Sequence, residues 1–425
     1  MTTLRTFVDV LDERGLLQRV RRSVDTVYEI STVARALRGR PVLFENVTGF
    51  SMPVVSNVCA SRDLLAMALG VEKAALLAKV GEAIEHPVEP PVESAHAYHE
   101  LAPDATKLPI LTHYPQDGGP FVASGIVIAR DAEYGINASF HRAMVCRADL
   151  LALRIVDRHF SAFIRRGLRE FAFCIGNPLP VLLAAAVSVE IGKSELAIAH
   201  ALAPSPVVEV AGHLVPPAEI VMICTLTGEL HDEGPFLDLT ETFDIVRQQP
   251  VARIDRVFAR PGALYHALLP GDLEHKVLMG TPREPTIFRE VAKECTCLDV
   301  RITPGGCSWL HGAVKIRKAH ADDGRRAIRA AFRGHASMKH VFIVDEDIDI
   351  DDPLALEWAM ATRFQAHRDL IVLPGEKGSS LDPSAEHPAN STTKVGFDLT
   401  IPWDRPREYF LRAQPPMPVN LADYV

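Results

Sequence analysis

A short segment between residues 137 and 142 carries side chains that can bind a metal or an anion. It reads Asn137-Ala-Ser-Phe-His-Arg142 and follows a predicted strand and a Tyr-Gly turn. Arg142 is flanked by apolar residues. Because an unpaired buried charge is very costly, the sequence predicts a carboxylate or phosphate partner for this arginine. The alternative is a structural ion pair that takes no part in chemistry.

Two further segments offer either metal-ligand or helix-capping chemistry. Asp157-Arg158-His159 stands where a predicted strand meets a predicted helix, and a histidine there is either a metal ligand or an ordinary helix-terminal residue. Lys193-Ser194-Glu195 has the pattern of a helix start, with Ser194 near the N-cap and Glu195 in the first turn. Capping and the helix dipole are sufficient to explain this second segment from its residues alone.

Paired carboxylates occur in the segment His231-Asp-Glu233-Gly-Pro-Phe-Leu-Asp238. The Gly-Pro turn can fold Glu233 and Asp238 toward one site. Carboxylates that lie close to each other and to an arginine have their pKa values driven apart, as acid/base chemistry requires. The alternative is an acidic surface loop, but Pro235-Phe236-Leu237 is apolar for an exposed turn.

Glycine-rich phosphate loops and common hydrolase motifs are absent from the sequence. It contains no GxGxxG, GxxxxGK[ST], GxSxG or HExxH. Any phosphate-bearing cofactor must therefore be held by other means. A metal that bridges the phosphate is one such means, and hard oxygen donors favour Mg²⁺ or Mn²⁺.

The elements that must position these residues fall into three regions, and the fold class is mixed α+β. Residues 1–115 form an N-terminal α/β region, in which Ser61 caps a helix that runs through Leu69 and stops at Gly70. Residues 116–312 are rich in strand signals, with short helices at 161–171, 179–186 and 193–202, and predict a central β-barrel domain. Residues 313–425 alternate between helix and strand and predict a C-terminal α/β domain. Within it, the polar segment 374–393 is a long loop that we expect to be functional or mobile.

Composition excludes several classes of protein. The net charge is −9 over 425 residues, which argues against a nucleic-acid partner. No apolar run reaches the roughly 18–20 residues that a membrane span needs. The N-terminus does not resemble a signal peptide, and seven scattered cysteines give no disulfide framework. We therefore expect a cytoplasmic protein with no membrane span.

The order and spacing of the motifs resemble those of the UbiD-like decarboxylases, which use prenylated FMN. The matching stretches extend over nearly the whole chain: Asn137-x-x-x-x-Arg142, His159 at a helix start, Ser194-Glu195, Pro217-Ala-Glu219, Glu233-Gly-Pro-Phe-x-Asp238, Thr303-Pro-Gly-Gly306, Val344-Asp345-Glu-Asp-Ile-Asp349, Trp358-Ala with Arg363, and Thr393-Lys394-Val-Gly. The resemblance implies that the predicted central barrel is a split β-barrel that binds a flavin. It also implies that the C-terminal domain mediates a homodimer or a larger homo-oligomer.

The resemblance assigns a role to individual residues. Asn137, His159 and Glu195 match the ligands of a divalent metal, Mn²⁺ or Mg²⁺, that ties the cofactor phosphate to the protein, often with K⁺ beside it. Arg142, Glu233 and Asp238 match the catalytic network, with aspartate where some members have glutamate. The implied cofactor-binding set comprises Asn137, Ser139, Phe140, His141, Arg142, Arg154, Arg158, His159, Glu195 and Lys394.

The resemblance implies a non-oxidative decarboxylation of an aromatic, heteroaromatic or α,β-unsaturated carboxylic acid, and the reverse carboxylation is an open alternative. Asp238 would donate the proton, Arg142 would hold the substrate carboxylate, and Glu233 would hold Arg142. A flavin prenyltransferase would have to supply the cofactor. Two alternatives stay open: a flavin-binding subunit of a larger carboxylase, and a non-catalytic protein that carries metal and flavin. The three interacting charges favour catalysis, since a carrier has no need of them.

Overall fold

The computed structural model describes residues 3–94 and 97–413, and its fold is mixed α+β, as predicted. In the N-terminal region, four short strands form one sheet in the order Gln18–Val20, Val42–Phe44, Val54–Ser56 and Tyr265–His266. The helices of this region are Leu4–Glu13, Glu29–Ala36, Arg62–Leu69 and Leu76–Glu85. The predicted caps of the third helix are confirmed, because Ser61 accepts from the Leu64 N–H and Gly70 ends the helix in the left-handed conformation.

A nine-stranded sheet forms the centre of the molecule. Eight strands follow one another in the order Phe121–Val122, Ala143–Arg147, Leu150–Leu153, Arg247–Ala259, Ile220–Glu233, Glu170–Ile175, Ile126–Asp131 and Gly135–Phe140; the ninth, His99–Leu101, pairs with Arg247–Ala259. Within the described residues, no pairing joins the two ends of this path into a closed barrel. The expected split barrel therefore stays a prediction.

Both faces of the central sheet are covered by apolar side chains. Along the strand Glu170–Ile175, Ala172 and Cys174 belong to one buried cluster, and Phe171 and Phe173 belong to another. This alternation follows from the two-residue period of a strand. At this strand the sheet is thus covered on both faces.

Three short helices cross the central region; two match their predictions to within two residues at each end, and one differs more. Their bounds are His159–Arg165, Leu179–Ala184 and Glu195–Leu202. The first was expected to continue to Phe171, and that extent is wrong. Gly167 takes a φ of +104°, which ends the helix, and Phe171 lies in the strand that begins at Glu170.

The C-terminal sheet has five strands, in the order Thr296–Ile302, His311–Arg317, His340–Val344, Ser391–Asp398 and Leu370–Lys377. Its helices, together with those that precede it, are Leu273–Gly280, Glu284–Ala292, Asp323–Gly334, Pro353–Arg363 and Ala366–Asp369. The first strand pairs with the second, so this sheet includes residues that precede the expected boundary at 312. The polar loop is shorter than 374–393, because the two flanking strands extend to Lys377 and begin at Ser391.

Short elements complete the fold. Strands His213–Val215, Val207–Val210 and Val92–Glu93 form a small sheet, Phe236–Leu237 pairs with Phe243–Asp244, and 3₁₀ turns occupy Lys73–Ala75, Ala105–Lys107, Thr281–Arg283, Pro304–Gly306 and Arg407–Phe410. No helix in the described part of the chain is long and apolar enough to cross a membrane.

Candidate active site

Arg142 binds three carboxylates at one end of a cavity. Its Nε and Nη2 donate to the two oxygens of Glu233, at 2.8 and 3.1 Å. Its Nη1 donates to Asp238 at 2.6 Å, and Nη2 also donates to Asp244 at 3.0 Å. The guanidinium lies 4.6 Å from the centroid of the Phe236 ring. The predicted carboxylate partner of Arg142 is thus confirmed, and the acidic segment is not a surface loop.

The local fold explains why these acids converge. Glu233 ends the long strand Ile220–Glu233, and Gly234 takes a φ of +103° that turns the chain sharply. The two-residue strand Phe236–Leu237 follows, and Asp238 comes directly after it. Its partner strand ends at Asp244. The paired strands therefore bring Asp238 and Asp244 to the guanidinium that Glu233 already holds.

Burial makes this cluster strongly interacting. The Glu233 side chain is fully buried, while that of Asp238 keeps 17% of its surface exposed. Burial acts to lower the pKa of Arg142, but the hydrogen bond and charge of Glu233, with the charges of Asp238 and Asp244, raise it overall. Burial likewise acts to raise the pKa of Asp244, but hydrogen bonds and charges from Arg247 and Arg142 lower it. Arg142 is therefore a permanent cation.

Asn137, His159 and Glu195 meet at a second place in the same cavity. The Asn137 amide donates to Glu195 Oε1 at 3.0 Å, and the Ala138 N–H donates to Oε2 at 2.9 Å. His159 Nδ1 lies 3.8 Å from Oε1. Glu195 is 3% exposed, yet the described residues provide no arginine or lysine within ion-pair distance of it.

That buried carboxylate fits a bound cation. A buried charge needs a countercharge, and an amide oxygen, an imidazole and a carboxylate are all donors that divalent metals accept. The described ranges contain no group of three or more His, Cys, Asp or Glu side chains that could hold a metal, at this site or at another. Any ion bound here would therefore need Asn137 beside the histidine and the glutamate.

Both clusters face one cavity of about 470 Å³. Most of the residues predicted to bind the cofactor line it: Asn137, Ser139, Phe140, His141, Arg142, Arg154, Arg158, His159 and Glu195. Asp238 lines it too, whereas Glu233 lies behind Arg142. Burial lowers the pKa of His141 to about 4, so that its imidazole is neutral at pH 7.

Lys394 is the one predicted cofactor-binding residue that does not line the cavity. It lies on the strand Ser391–Asp398 with its side chain buried. Its ammonium donates to the Ala336 carbonyl at 2.6 Å and lies over the Phe332 ring. The neighbouring Ser337 reaches the cavity, so the lysine lies just behind its wall.

Sequence reasoning missed several residues of the site. Asp244, His275, Arg283 and Trp309 line the cavity, as do residues 377–381 of the C-terminal region. Asp244 alone had a usable signal, as an acid only six residues beyond the acidic segment His231–Asp238. The others come from separate elements whose local sequence contains no motif, and only the tertiary fold brings them together.

Models of known protein families match the chain over most of its length. Family models of 3-octaprenyl-4-hydroxybenzoate carboxy-lyase match the chain in three parts: the N-terminal domain at residues 8–84, the Rift-related domain at 86–273 and the C-terminal domain at 276–399. The chain belongs to this family, UbiD. It is accordingly a carboxy-lyase, as predicted, and its class is that of the UbiD decarboxylases.

Individual relatives cover nearly the whole chain. The anhydromevalonate phosphate decarboxylase of Methanothermobacter thermautotrophicus is 39% identical over 414 residues, which are 94% of this chain and 97% of the relative. The UbiD-class enzyme HmfF from Pelotomaculum thermopropionicum, solved in complex with FMN, is 36% identical, with a TM-score of 0.95 and full coverage of both chains. An evolved dimeric form of HmfF, in complex with prFMN, is 34% identical, with a TM-score of 0.91 and full coverage of both chains.

Proposed function

We propose that this protein decarboxylates an α,β-unsaturated carboxylic acid with prenylated FMN bound in the cavity. The observation that carries the proposal is the Arg142 cluster, in which three acids surround one guanidinium at the cavity wall. Within the broader class of aromatic, heteroaromatic and unsaturated acids, the relatives named anhydromevalonate phosphate decarboxylase favour an unsaturated aliphatic acid that carries a phosphate.

Arg142 is placed to orient the substrate carboxylate beside Asp238. An arginine has five N–H donors, and Glu233, Asp238 and Asp244 accept from four of them. The remaining donor is on Nη1, the same nitrogen that donates to Asp238. A substrate carboxylate bound there lies next to the acid, while Glu233 fixes the guanidinium in a bidentate pair.

Asp238 is the proposed proton donor. Loss of CO₂ leaves an electron pair on carbon that no side chain can store, and prenylated FMN supplies the electron sink when it is bound. Asp238 then delivers a proton to the α carbon of the product. Because its side chain is partly exposed, solvent can return that proton for the next turnover.

Asn137, His159 and Glu195 would hold Mn²⁺ or Mg²⁺, and the ion would bind the cofactor phosphate. The buried, uncompensated charge of Glu195 supports this assignment, and K⁺ would share the same glutamate. Ser139, Phe140, His141, Arg154 and Arg158 would surround the flavin, with Lys394 adding positive charge from behind the wall. Glu195→Gln should lose bound metal and flavin together, and full retention of both would contradict the metal site.

The remaining parts of the proposal concern supply, assembly and location. A flavin prenyltransferase would provide the cofactor, and the enzyme would act in the cytoplasm on a small-molecule acid.

We propose a homodimer or larger homo-oligomer formed by the C-terminal region. Trp358 is partly covered by Arg363 and Arg412, but Leu354, Trp403 and Tyr409 stay exposed. The predicted apolar tail, 415–425, lies outside the described residues. A monomer in light scattering at micromolar concentration would contradict the oligomer.

One experiment tests the activity directly. The chain is co-expressed with a flavin prenyltransferase, its flavin spectrum is recorded, and CO₂ release is measured from a panel of acids. The panel includes anhydromevalonate phosphate, its dephosphorylated form and aromatic acids. We expect flavin-dependent CO₂ release from the phosphorylated acid and none from Asp238→Asn. Release from aromatic acids alone would overturn the proposed substrate class.

A further inference from the structure

Residues 113–119 pack against the turn that carries the proposed proton donor. The ring of His113 stands edge-on to Phe236, with the ring centroids 6.3 Å apart, and the ring of Tyr114 stands edge-on to Phe243 at 6.0 Å. These two phenylalanines lie on the short paired strands on either side of that acid. The 113–119 segment therefore contacts both strands of the pair, although its residues, all in the described part of the chain, do not line the cavity.

A buried acid fixes the shape of the 113–119 segment. The Asp117 side chain is fully buried, and its Oδ2 accepts from the backbone N–H groups of His113 and Tyr114 at 2.8 and 2.9 Å. The Asp117 N–H donates in turn to the Tyr114 carbonyl at 3.0 Å. These hydrogen bonds close a turn, and the turn holds the next residue, Gly118, in one place.

Gly118 meets the turn of the proton donor backbone to backbone. Its N–H donates to the Pro235 carbonyl at 2.9 Å. A Cβ atom at position 118 would lie 2.1 Å from the carbonyl oxygen of Gly234 and 2.6 Å from its carbonyl carbon, which is too close for atoms that are not bonded. Since Gly118 does not take a positive φ, glycine is required here for this close approach and not for its conformational freedom.

The turn at Gly234 and Pro235 connects two acids of the Arg142 cluster. Glu233 precedes the turn, Asp238 follows it after two strand residues, and both accept from Arg142. A displacement of the turn therefore moves Asp238 relative to the guanidinium and to a bound substrate. A misplacement of about 1 Å can cost about 10²-fold in rate, because a proton donor must lie within hydrogen-bond reach of the atom it protonates.

We propose that Gly118 is a positioning residue for the proton donor, which it fixes by seating the Gly234–Pro235 turn against its own backbone. The proposal rests on the proposed function, because it takes Asp238 as the acid. Gly118 does not line the cavity, so it acts on the reaction only through that turn.

The neighbouring glycine provides a matched control. A Cβ atom at position 119 would make only ordinary contacts, at 3.6 Å from the Val145 carbonyl oxygen and 3.7 Å from the Met144 side chain. Gly118→Ala and Gly119→Ala remove the same backbone freedom from the unfolded chain, so a difference between them reports the contact with Gly234.

For each enzyme loaded with prenylated FMN, kcat and KM for anhydromevalonate phosphate are measured in light and in heavy water, and flavin content is determined. Hydrogen exchange of residues 233–244 is followed by mass spectrometry in the same proteins. A further variant, Asp117→Ala, removes the acceptor of two backbone N–H groups without creating a clash. It loosens the 113–119 segment and replaces Gly118→Ala in the comparison if that variant does not fold.

We expect Gly118→Ala to lower kcat about 10- to 100-fold, with KM changed much less, because a Cβ atom there pushes the turn by about 1 Å. The ratio of kcat in light water to kcat in heavy water should be larger than in Gly119→Ala, since proton delivery becomes slower than the other steps. Hydrogen exchange at 233–244 should be faster, and flavin content should match the control. Asp117→Ala should show the same changes to a smaller extent.

Turnover in Gly118→Ala equal to that of the control would overturn the proposal, as would parent-like turnover in Asp117→Ala if only that variant folds. A fall in kcat with the control's ratio between light and heavy water would mean that the glycine only supports packing. A loss of flavin would assign the effect to the cofactor site. If the parent decarboxylates no acid of the panel, the proposed function fails. Hydrogen exchange at 233–244 then decides separately whether Gly118 holds the turn, and unchanged exchange would overturn that role.

Discussion

The two arginines at the ends of the cavity differ in what the chain provides for them. Arg142 is surrounded by three carboxylates, which accept four hydrogen bonds from it. Arg283 has one carbonyl acceptor and an unpaired Nε–H. A guanidinium whose partners are all in the protein is held rigidly and can position other groups. The guanidinium of Arg283 is instead held by one carbonyl and by the face of the Trp309 ring.

Asp238→Asn removes the proposed proton donor beside Arg142 and should have the largest effect on turnover. We expect kcat to fall by about 10²–10⁴-fold, the usual contribution of a positioned general acid. Flavin and metal contents should be unchanged, because Asp238 contacts neither in the proposed arrangement. Single-turnover CO₂ release and deuterium incorporation from solvent would measure the loss. Near-normal turnover would move the proton donor to Glu233 or to a water molecule.

Arg142→Met should strongly destabilise the protein. It leaves Glu233 and Asp238 as buried or partly buried acids without a cation, and breaking a buried ion pair in this way costs about 3–5 kcal/mol. Urea unfolding of the flavin-free protein measures the change. Arg283→Met is the matched variant, and it should cost less, about 1–3 kcal/mol, since no acid loses its partner and only the buried Ala186 carbonyl loses a donor. Equal losses of unfolding free energy in the two variants would contradict the expected difference between Arg142, which pairs with acids, and Arg283, which does not.

Asp244→Asn should lower turnover less than Asp238→Asn does and stability less than Arg142→Met does. Asp244 accepts from Arg142 and also pairs with Arg247, and a hydrogen bond to a charged group contributes about 1.5–3 kcal/mol. Asparagine keeps one acceptor, so we expect a loss toward the lower end of that range and a modest fall in kcat. The same unfolding and turnover assays apply. A loss as large as that of Asp238→Asn would give Asp244 a direct part in catalysis.

The Arg283 end of the cavity should also contribute a pH dependence to stability. Burial, and then the charge of Arg283, lower the pKa of His335 to about 3. Below pH 6.5 the unfolded chain binds a proton at this histidine and the folded protein does not, so stability is lost as the pH falls from about 6.5 toward 3. Between pH 7 and pH 5 the loss is about 2 kcal/mol.

Unfolding at several pH values, with His335→Gln as the comparison, isolates this contribution. The variant should show a flatter pH profile than the parent. Arg283→Met should flatten it partly, because one of the charges that lowers the pKa of His335 is gone. An identical profile in all three proteins would mean that His335 is accessible to protons in the folded state.

Sequence reasoning succeeded where the chemistry lies in one short segment. Asp238 and Glu233 are separated by a turn, and Arg142 stands between apolar neighbours that demand a partner, so their convergence could be predicted. Arg283 could not be found in this way, because its apolar surroundings and its missing acid are properties of the tertiary fold. The prediction of a helix that reaches Phe171 was wrong for a local reason, since Gly167 ends the helix and Phe171 lies in the next strand.

The contact between Trp309 and Ser379 has a consequence for how new specificities arise. The indole N–H donates to the serine hydroxyl at 3.1 Å, and Ser379 belongs to the loop 378–390 between two C-terminal strands. One side of the cavity is therefore built by a segment that contributes nothing to the central sheet or to the Arg142 cluster. Chimeras that exchange only this loop between relatives should change which acids are accepted while the catalytic apparatus is inherited intact.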